Sequence, residues 1–186
     1  MRSRTQLCRI ALSSVLALAG AAPGSAQAGV TRSSAGSFLL EQRIIVKADS
    51  KVSFQGLLHP ERWWSKDHTL SGNAANMRLD PRAGGCWCER WSGGEVEHAR
   101  VIFIQKDKLL RLQGAFGPLQ ALEVTGILEF TLTQGKDGTQ VDMSYRISGP
   151  DSAKLDAIAP MADQMFAGQL ASLKAMLDRQ GEAARK

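Results

Sequence analysis

Residues 123–180 constrain the fold most, because the spacing of their apolar residues changes from two to 3.6 partway along. In Glu123–Thr133, Leu128, Phe130 and Leu132 share one side of an extended chain. In Gln140–Ser148, Val141, Met143, Tyr145 and Ile147 do the same, leaving Asp142, Ser144, Arg146 and Ser148 opposite. Gly135-Lys-Asp-Gly138 joins the two runs, so the pattern predicts an antiparallel hairpin with one wet face. From 151 onward the spacing is helical, with Leu155, Ile158, Ala162, Phe166, Leu170 and Leu173 on one stripe. Pro160 belongs at a helix start. A lead-in turn is therefore expected before a main helix from about Pro160 to Arg179, with Gly181 ending it. A sheet with one apolar face and a helix with one apolar stripe bury them on each other.

Upstream, Phe38–Val46 reads as a strand and Ala48-Asp49-Ser50 as caps for a helix over Lys51–Leu58. His59-Pro60 stops that helix, and "ERWWSKDH" (61–68) suggests a second short one. Strand-like runs follow at Asn76–Leu79, Cys86–Trp91, Val96–Gln105 and Leu109–Gly114, separated by turn residues. The expected class is α+β. A curved antiparallel sheet carries two short helices after its first strand and a long C-terminal helix packed on it. A bent sheet and a helix need not touch everywhere, and the gap between them is the natural ligand site.

Met1–Ala28 has Arg2, Arg4 and Arg9, an apolar run of about a dozen residues and a Ser25-Ala-Gln-Ala28 end, the pattern of a cleaved export signal. The run falls short of the ~20 residues of a spanning helix, so the mature chain is expected to have no transmembrane segment and to be periplasmic. Removing 28 of 186 residues leaves 158 and takes away three arginines and no acid, so 20 basic face 18 acidic groups. Such a near-neutral, unstriped charge distribution gives no reason to expect a nucleic-acid partner. Residues 29–37 read as a flexible leader, 38–180 as the domain and 181–186 as a tail.

Four stretches, "HPERWW" (59–64), "LDPRAGGCWCERW" (79–91), "VEHARV" (96–101) and "LLRLQGAFGPLQAL" (109–122), together with the terminal helix, resemble the SRPBCC superfamily. Its START-like, helix-grip fold would cover residues 38–180. The resemblance is nearest to bacterial proteins of the polyketide cyclase/dehydrase-like or heat-shock ATPase activator-like kind. It implies a helix-grip domain whose cavity takes hydrophobic molecules. It carries over no catalytic residue, and fold alone does not name an activity. An exported chain would not meet a cytosolic ATP-driven chaperone.

The stretch "GGCWCERW" (84–91) invites a metal or redox reading. If Gly93-Gly94 form a two-residue hairpin loop, Trp91 faces Val96, Glu89 faces His98 and Trp87 faces Arg100. One face then holds Trp87, Glu89, Trp91, Val96, His98, Arg100, Ile102 and Ile104. The other holds Cys86, Cys88, Arg90, Glu97, Ala99, Val101 and Phe103. Cysteines on one face and His98 on the other argue against zinc, which needs three or four converging ligands, so neither metal nor cofactor is expected. A Cys86–Cys88 disulfide is awkward, since an extended strand sets their Cα atoms roughly 6.6–6.8 Å apart, though a bulge after Gly84-Gly85 would shorten the span.

Trp87, Glu89, Trp91, His98 and Arg100 make either a cavity wall with orienting polar groups or a solvent-side cluster; the turn decides, because one residue of slip exchanges the faces. Trp63 and Trp64 are core anchors or a cavity mouth. Phe130, Tyr145, Met161 and Met165 are core residues with cavity lining as the further expectation. The function expected is an exported binding protein for a small hydrophobic, lipid- or polyketide-like molecule. The alternative is a cyclase, dehydratase or hydrolase using Glu89 and His98 as an acid–base pair.

Overall fold

A computed structural model describes residues 29–185, so the expected export signal at 1–28 lies outside the described residues. Eight strands form one antiparallel sheet: β1 (Val30–Ser34), β2 (Ser37–Val46), β3 (Met77–Leu79), β4 (Cys86–Trp91), β5 (Gly94–Gln105), β6 (Leu109–Gln113), β7 (Thr125–Gln134) and β8 (Thr139–Ser148). Their spatial order is β1-β2-β8-β7-β6-β5-β4-β3. The first long strand thus pairs with the last, and β3 to β8 run as a meander. The class is α+β as expected. Helix α1 (Ser50–Leu57) follows β2, and the long helix α2 (Leu155–Ala183) packs on the sheet.

Local chemistry places these elements well. Asp49 caps α1, its carboxylate accepting the Val52 N–H at 2.8 Å. The alternation read in 123–148 is the real register: Leu128 faces Tyr145, Phe130 faces Met143 and Leu132 faces Val141, all buried. The stretch after His59-Pro60 forms single 3-10 turns at Pro60–Arg62 and Lys66–His68 rather than a second α-helix. The expected flexible leader is also corrected in part: Val30–Ser34 is an exposed edge strand, held by backbone pairing to β2 and not by any buried side chain.

Two expectations about α2 fail for the same reason. It begins at Leu155, five residues before Pro160, because Lys154 in the left-handed region turns the chain and the Leu155 N–H finds the Ala35 carbonyl at 2.8 Å. An orphan donor is thereby satisfied outside the helix. Nor does Gly181 end the helix. It is buried where α2 crosses the chain leaving β2, and a Cβ there would lie 2.7 Å from Ala48 N. Glycine serves close approach here, and tertiary contact overrides its usual place after a helix end.

The β4–β5 hairpin decides the site. Its loop is Ser92-Gly93, with Trp91 opposite Gly94, Arg90 opposite Glu95 and Glu89 opposite Val96. The Trp91 indole lies over Gly94, where a Cβ would come within 2.8 Å of the ring, and Arg90 pairs with Glu95 across the strands at 3.0 Å. Then β5 carries two bulges. His98 is the extra residue against β4, and Ile102 against β6. Each reverses the alternation. His98 and Ala99 therefore both point inward, Arg100 points out, Val101 points in, and Ile102 and Phe103 are both exposed.

Cys86 and Cys88 form a disulfide on the outer face, with Cα atoms 5.4 Å apart. The pairing shift beside Trp87 and Cys88 brings their Cα atoms closer than a regular strand would. Glu97 also lies near the two sulfurs, but sulfurs bonded to each other are not free metal ligands. A loop this short constrains the unfolded chain little, under about 2 kcal/mol. The double substitution Cys86→Ser/Cys88→Ser is therefore expected to lower Tm by only a few degrees in calorimetry, with the fold retained.

Candidate functional site

A cavity of about 440 Å³ opens between the sheet, residues 64–70 and the first half of α2. Sites for small molecules commonly have this size. Its walls are Trp64, His98, Phe116, Leu119, Tyr145 and Phe166, with Ile158, Met161, Ala162 and Met165 contributed by α2. At the mouth, Leu70 and Met161 are 58% and 66% exposed, beside Asp67, His68 and Thr69.

Phe116 is the hub of the wall. Its ring centroid lies 5.3 Å from Trp87, 5.8 Å from Trp64, 5.9 Å from Tyr145 and 6.0 Å from Phe166. The Trp87, Tyr145 and Phe166 pairs are edge-on and the Trp64 pair is tilted; aromatic pairs add about 0.5–1.5 kcal/mol each beyond the area they bury. The Tyr145 hydroxyl accepts the Phe116 N–H and donates to the Gly114 carbonyl, both at 3.2 Å. Burial pushes the phenol far above its usual range, so this oxygen remains a protonated strut of the wall.

Glycines let the sheet bend there. A Cβ on Gly114 would lie 2.6 Å from Ala99 Cα, and one on Gly126 would meet the Tyr145 ring at 3.1 Å. Gly114 N–H in turn bonds the Gly126 carbonyl at 2.9 Å. The His98 bulge, Gly114, Gly126 and Tyr145 thus line up across β5 to β8, and the cavity sits over that line.

One charged group is sealed behind the wall. Glu89 is fully buried, and its carboxylate accepts the N–H groups of Leu70 (3.0 Å) and Ser71 (2.5 Å) and bonds His98 Nε2 (3.0 Å). Burial raises its pKa, but hydrogen bonds from Ser71, Leu70 and His98 outweigh burial and hold it below the usual carboxylate range. The carboxylate is ionised, so the nitrogen facing it must carry the proton. His98 is held below its ordinary value by burial, which exceeds the upward pull of Glu89. The result is a neutral imidazole, Nε2–H toward Glu89, stacked within 3° of parallel on Phe116.

Of the residues expected at the site, Trp64, His98, Tyr145, Met161 and Met165 come together around the cavity. Glu89 stands one layer behind, on His98. Trp63, Trp87 and Phe130 are buried in the core beside it, with Trp63 and Trp87 packed edge-on to each other and to Trp64. Trp91 lies exposed at the hairpin end. Arg100 is on the outer face, bonded to Glu97 and the Gly84 carbonyl, because the His98 bulge turns it away from the cavity.

Phe116, Leu119 and Phe166 are lining residues that sequence reasoning missed. Gly117-Pro118 marks a turn and the resemblance spans 109–122, but neither singles out Phe116 or Leu119, and Phe166 shows only as part of the helical stripe.

No protein-family model matches the chain, and no curated protein matches it in sequence. Solved structures do share its fold. Protein MLL2253 from Mesorhizobium loti aligns with a TM-score of 0.54 at 20% identity, over 76% of this chain and 97% of that one. An uncharacterized protein from Rhizobium leguminosarum gives 0.55 at 16% identity, over 77% and 95%. A protein from Rhodobacter sphaeroides gives 0.55 at 16%, over 81% and 98%. At these identities the likeness concerns the fold alone. Among the described residues no helix is long and apolar enough to cross a membrane.

Proposed function

We propose that this chain is an exported binding protein of the SRPBCC, helix-grip type, holding one small hydrophobic molecule between the sheet and α2. The observation that carries the reading is the composition of the cavity. About 440 Å³ is walled mainly by aromatic and aliphatic side chains, with Asp67, His68 and Thr69 at the mouth and the His98 imidazole held in place from behind. An empty apolar hollow costs contact energy, while a guest of matching shape recovers it. The basic, then apolar, then small-residue order of residues 1–28 supports export.

Catalysis is the second reading, and one observation favours it. The Glu89 carboxylate fixes the His98 tautomer as an acid–base pair requires, and burial holds the imidazole neutral. Among the described residues lining the cavity no activated nucleophile stands beside His98, so a covalent hydrolase route has no support, and binding is the preferred reading. The Tyr145 hydroxyl is committed to Gly114 and Phe116.

The test fills the hollow. Ala162 lines the cavity from α2 and is buried, so Ala162→Phe places a ring inside it. Wild-type protein is expected to bind naphthalene-sized probes with a change in Trp64 fluorescence and a rise in Tm, and Ala162→Phe to lose both while still melting cooperatively. Equal binding by the two proteins would sink the proposal.

A further inference from the structure

The cavity contains one fixed polar atom whose hydrogen-bonding sense can be worked out. His98 Nε2 is engaged by Glu89, and Nδ1 has no hydrogen bond among the described residues. Nor is Nδ1 one of the fully sealed, unpartnered polar atoms, which among the described residues are Gln42 Oε1, Trp63 Nε1, Trp87 Nε1 and Asp107 Oδ1. The imidazole is 3% exposed and lines the cavity, so its remaining open edge faces the space a guest would fill. Glu89 is locked as an acceptor by two backbone N–H groups besides His98, so it cannot reverse the pair by donating. With the proton on Nε2, Nδ1 presents a lone pair.

A buried acceptor left without a donor is costly, whereas a guest that supplies one is favoured over an isostere that cannot. We infer that the cavity selects an apolar ring compound bearing one hydroxyl, phenolic or enolic, whose O–H donates to His98 Nδ1. This deepens the binding reading above and rests on it. The other polar groups in reach do not compete for that role. The Tyr145 O–H is taken up by Gly114, and Asp67, His68 and Thr69 stand at the mouth beside the exposed Leu70. Guests that are carboxylate anions are disfavoured, because they would set a negative charge against a lone pair with Glu89 behind it.

The experiment uses two isosteric probes and one anion, measured by calorimetry at neutral pH on the whole chain. 2-Naphthol and 2-fluoronaphthalene have nearly the same shape, and only the first donates a hydrogen bond. 2-Naphthol is expected to bind roughly tenfold more tightly, as one buried hydrogen bond allows, and 2-naphthoate to bind more weakly than either. His98→Phe is expected to abolish the preference while 2-fluoronaphthalene still binds. Because that variant also strips Glu89 of a donor and can fail to fold, imidazole ¹⁵N shifts of the wild type supply a second readout. His98 should appear as the neutral Nε2–H tautomer, and its Nδ1 signal should move with 2-naphthol and stay with 2-fluoronaphthalene.

Equal affinities, preference for 2-naphthoate, or a cationic or Nδ1–H His98 would overturn the inference while leaving the cavity reading intact. Failure of every probe to bind would remove both.

Discussion

Glu89→Ala is expected to lower Tm by about 10 °C at neutral pH, a loss on the order of 3–5 kcal/mol for one residue that touches no solvent. The size follows from what is stranded. The carboxylate takes the Leu70 and Ser71 N–H groups and the His98 Nε2–H, and alanine leaves all three donors unpaired beside a void. Glu89→Gln keeps the volume and an acceptor oxygen but turns an amide N–H₂ toward donors, so its loss should be intermediate. A drop of only a degree or two in calorimetry for the alanine variant would mean that Glu89 is not the anchor of residues 70–71 and His98.

The same pair sets an acid sensitivity. A carboxylate held below its ordinary value of 4.5 contributes stability that is present above that pH and lost as the pH falls through the folded value. His98, held below 6.5, acts in the same direction: the unfolded chain takes up a proton first, so stability declines as the pH falls from about 6.5 through the lower folded value. Wild-type Tm should therefore fall in two stages on acidification. Glu89→Ala should lose the stage below 4.5 that belongs to this carboxylate.

Gly114→Ala is the second large effect. The added Cβ would press on the Ala99 Cα and the His98 carbonyl, which are backbone atoms and cannot swing aside. The end of β6 must move away from β5 at the bulge that aims His98 into the cavity. About 3 kcal/mol of stability should be lost, near the upper end for overpacking, together with most probe binding. Gly168→Ala is the control of opposite sign. Gly168 is exposed on α2 and a Cβ there meets nothing, so alanine should raise stability by roughly 0.5–1 kcal/mol with binding unchanged. Comparable Tm values for Gly114→Ala and wild type would contradict the close approach of β6 to the bulge.

What could be read from the sequence divides along physical lines. The β7–β8 alternation and the stripe of α2 repeat over many residues, so the burial energy of a whole face fixes their register and both were legible. The β4–β5 hairpin was not, because single-residue events decide it. Trp91 over Gly94 moves the loop back by one residue, and the His98 bulge then exchanges Arg100 for Ala99 and Val101 on the inner face. A Gly93-Gly94 loop would make Glu89 and His98 direct cross-strand neighbours. They do meet, but diagonally, through the bulge. Periodicity carries no signal for such a device. Phe116 escaped notice because a turn between Gly114 and Pro118 gives no reason to expect its aromatic side chain at the centre of a wall.

Native mass spectrometry of the chain isolated from its own cells, followed by organic extraction, asks whether the cavity carries a guest. A mass excess of one small apolar molecule per chain is expected, displaced by 2-naphthol and absent from Ala162→Phe. A chain that emerges without a guest and whose Tm is unmoved by saturating 2-naphthol or 2-fluoronaphthalene would contradict it.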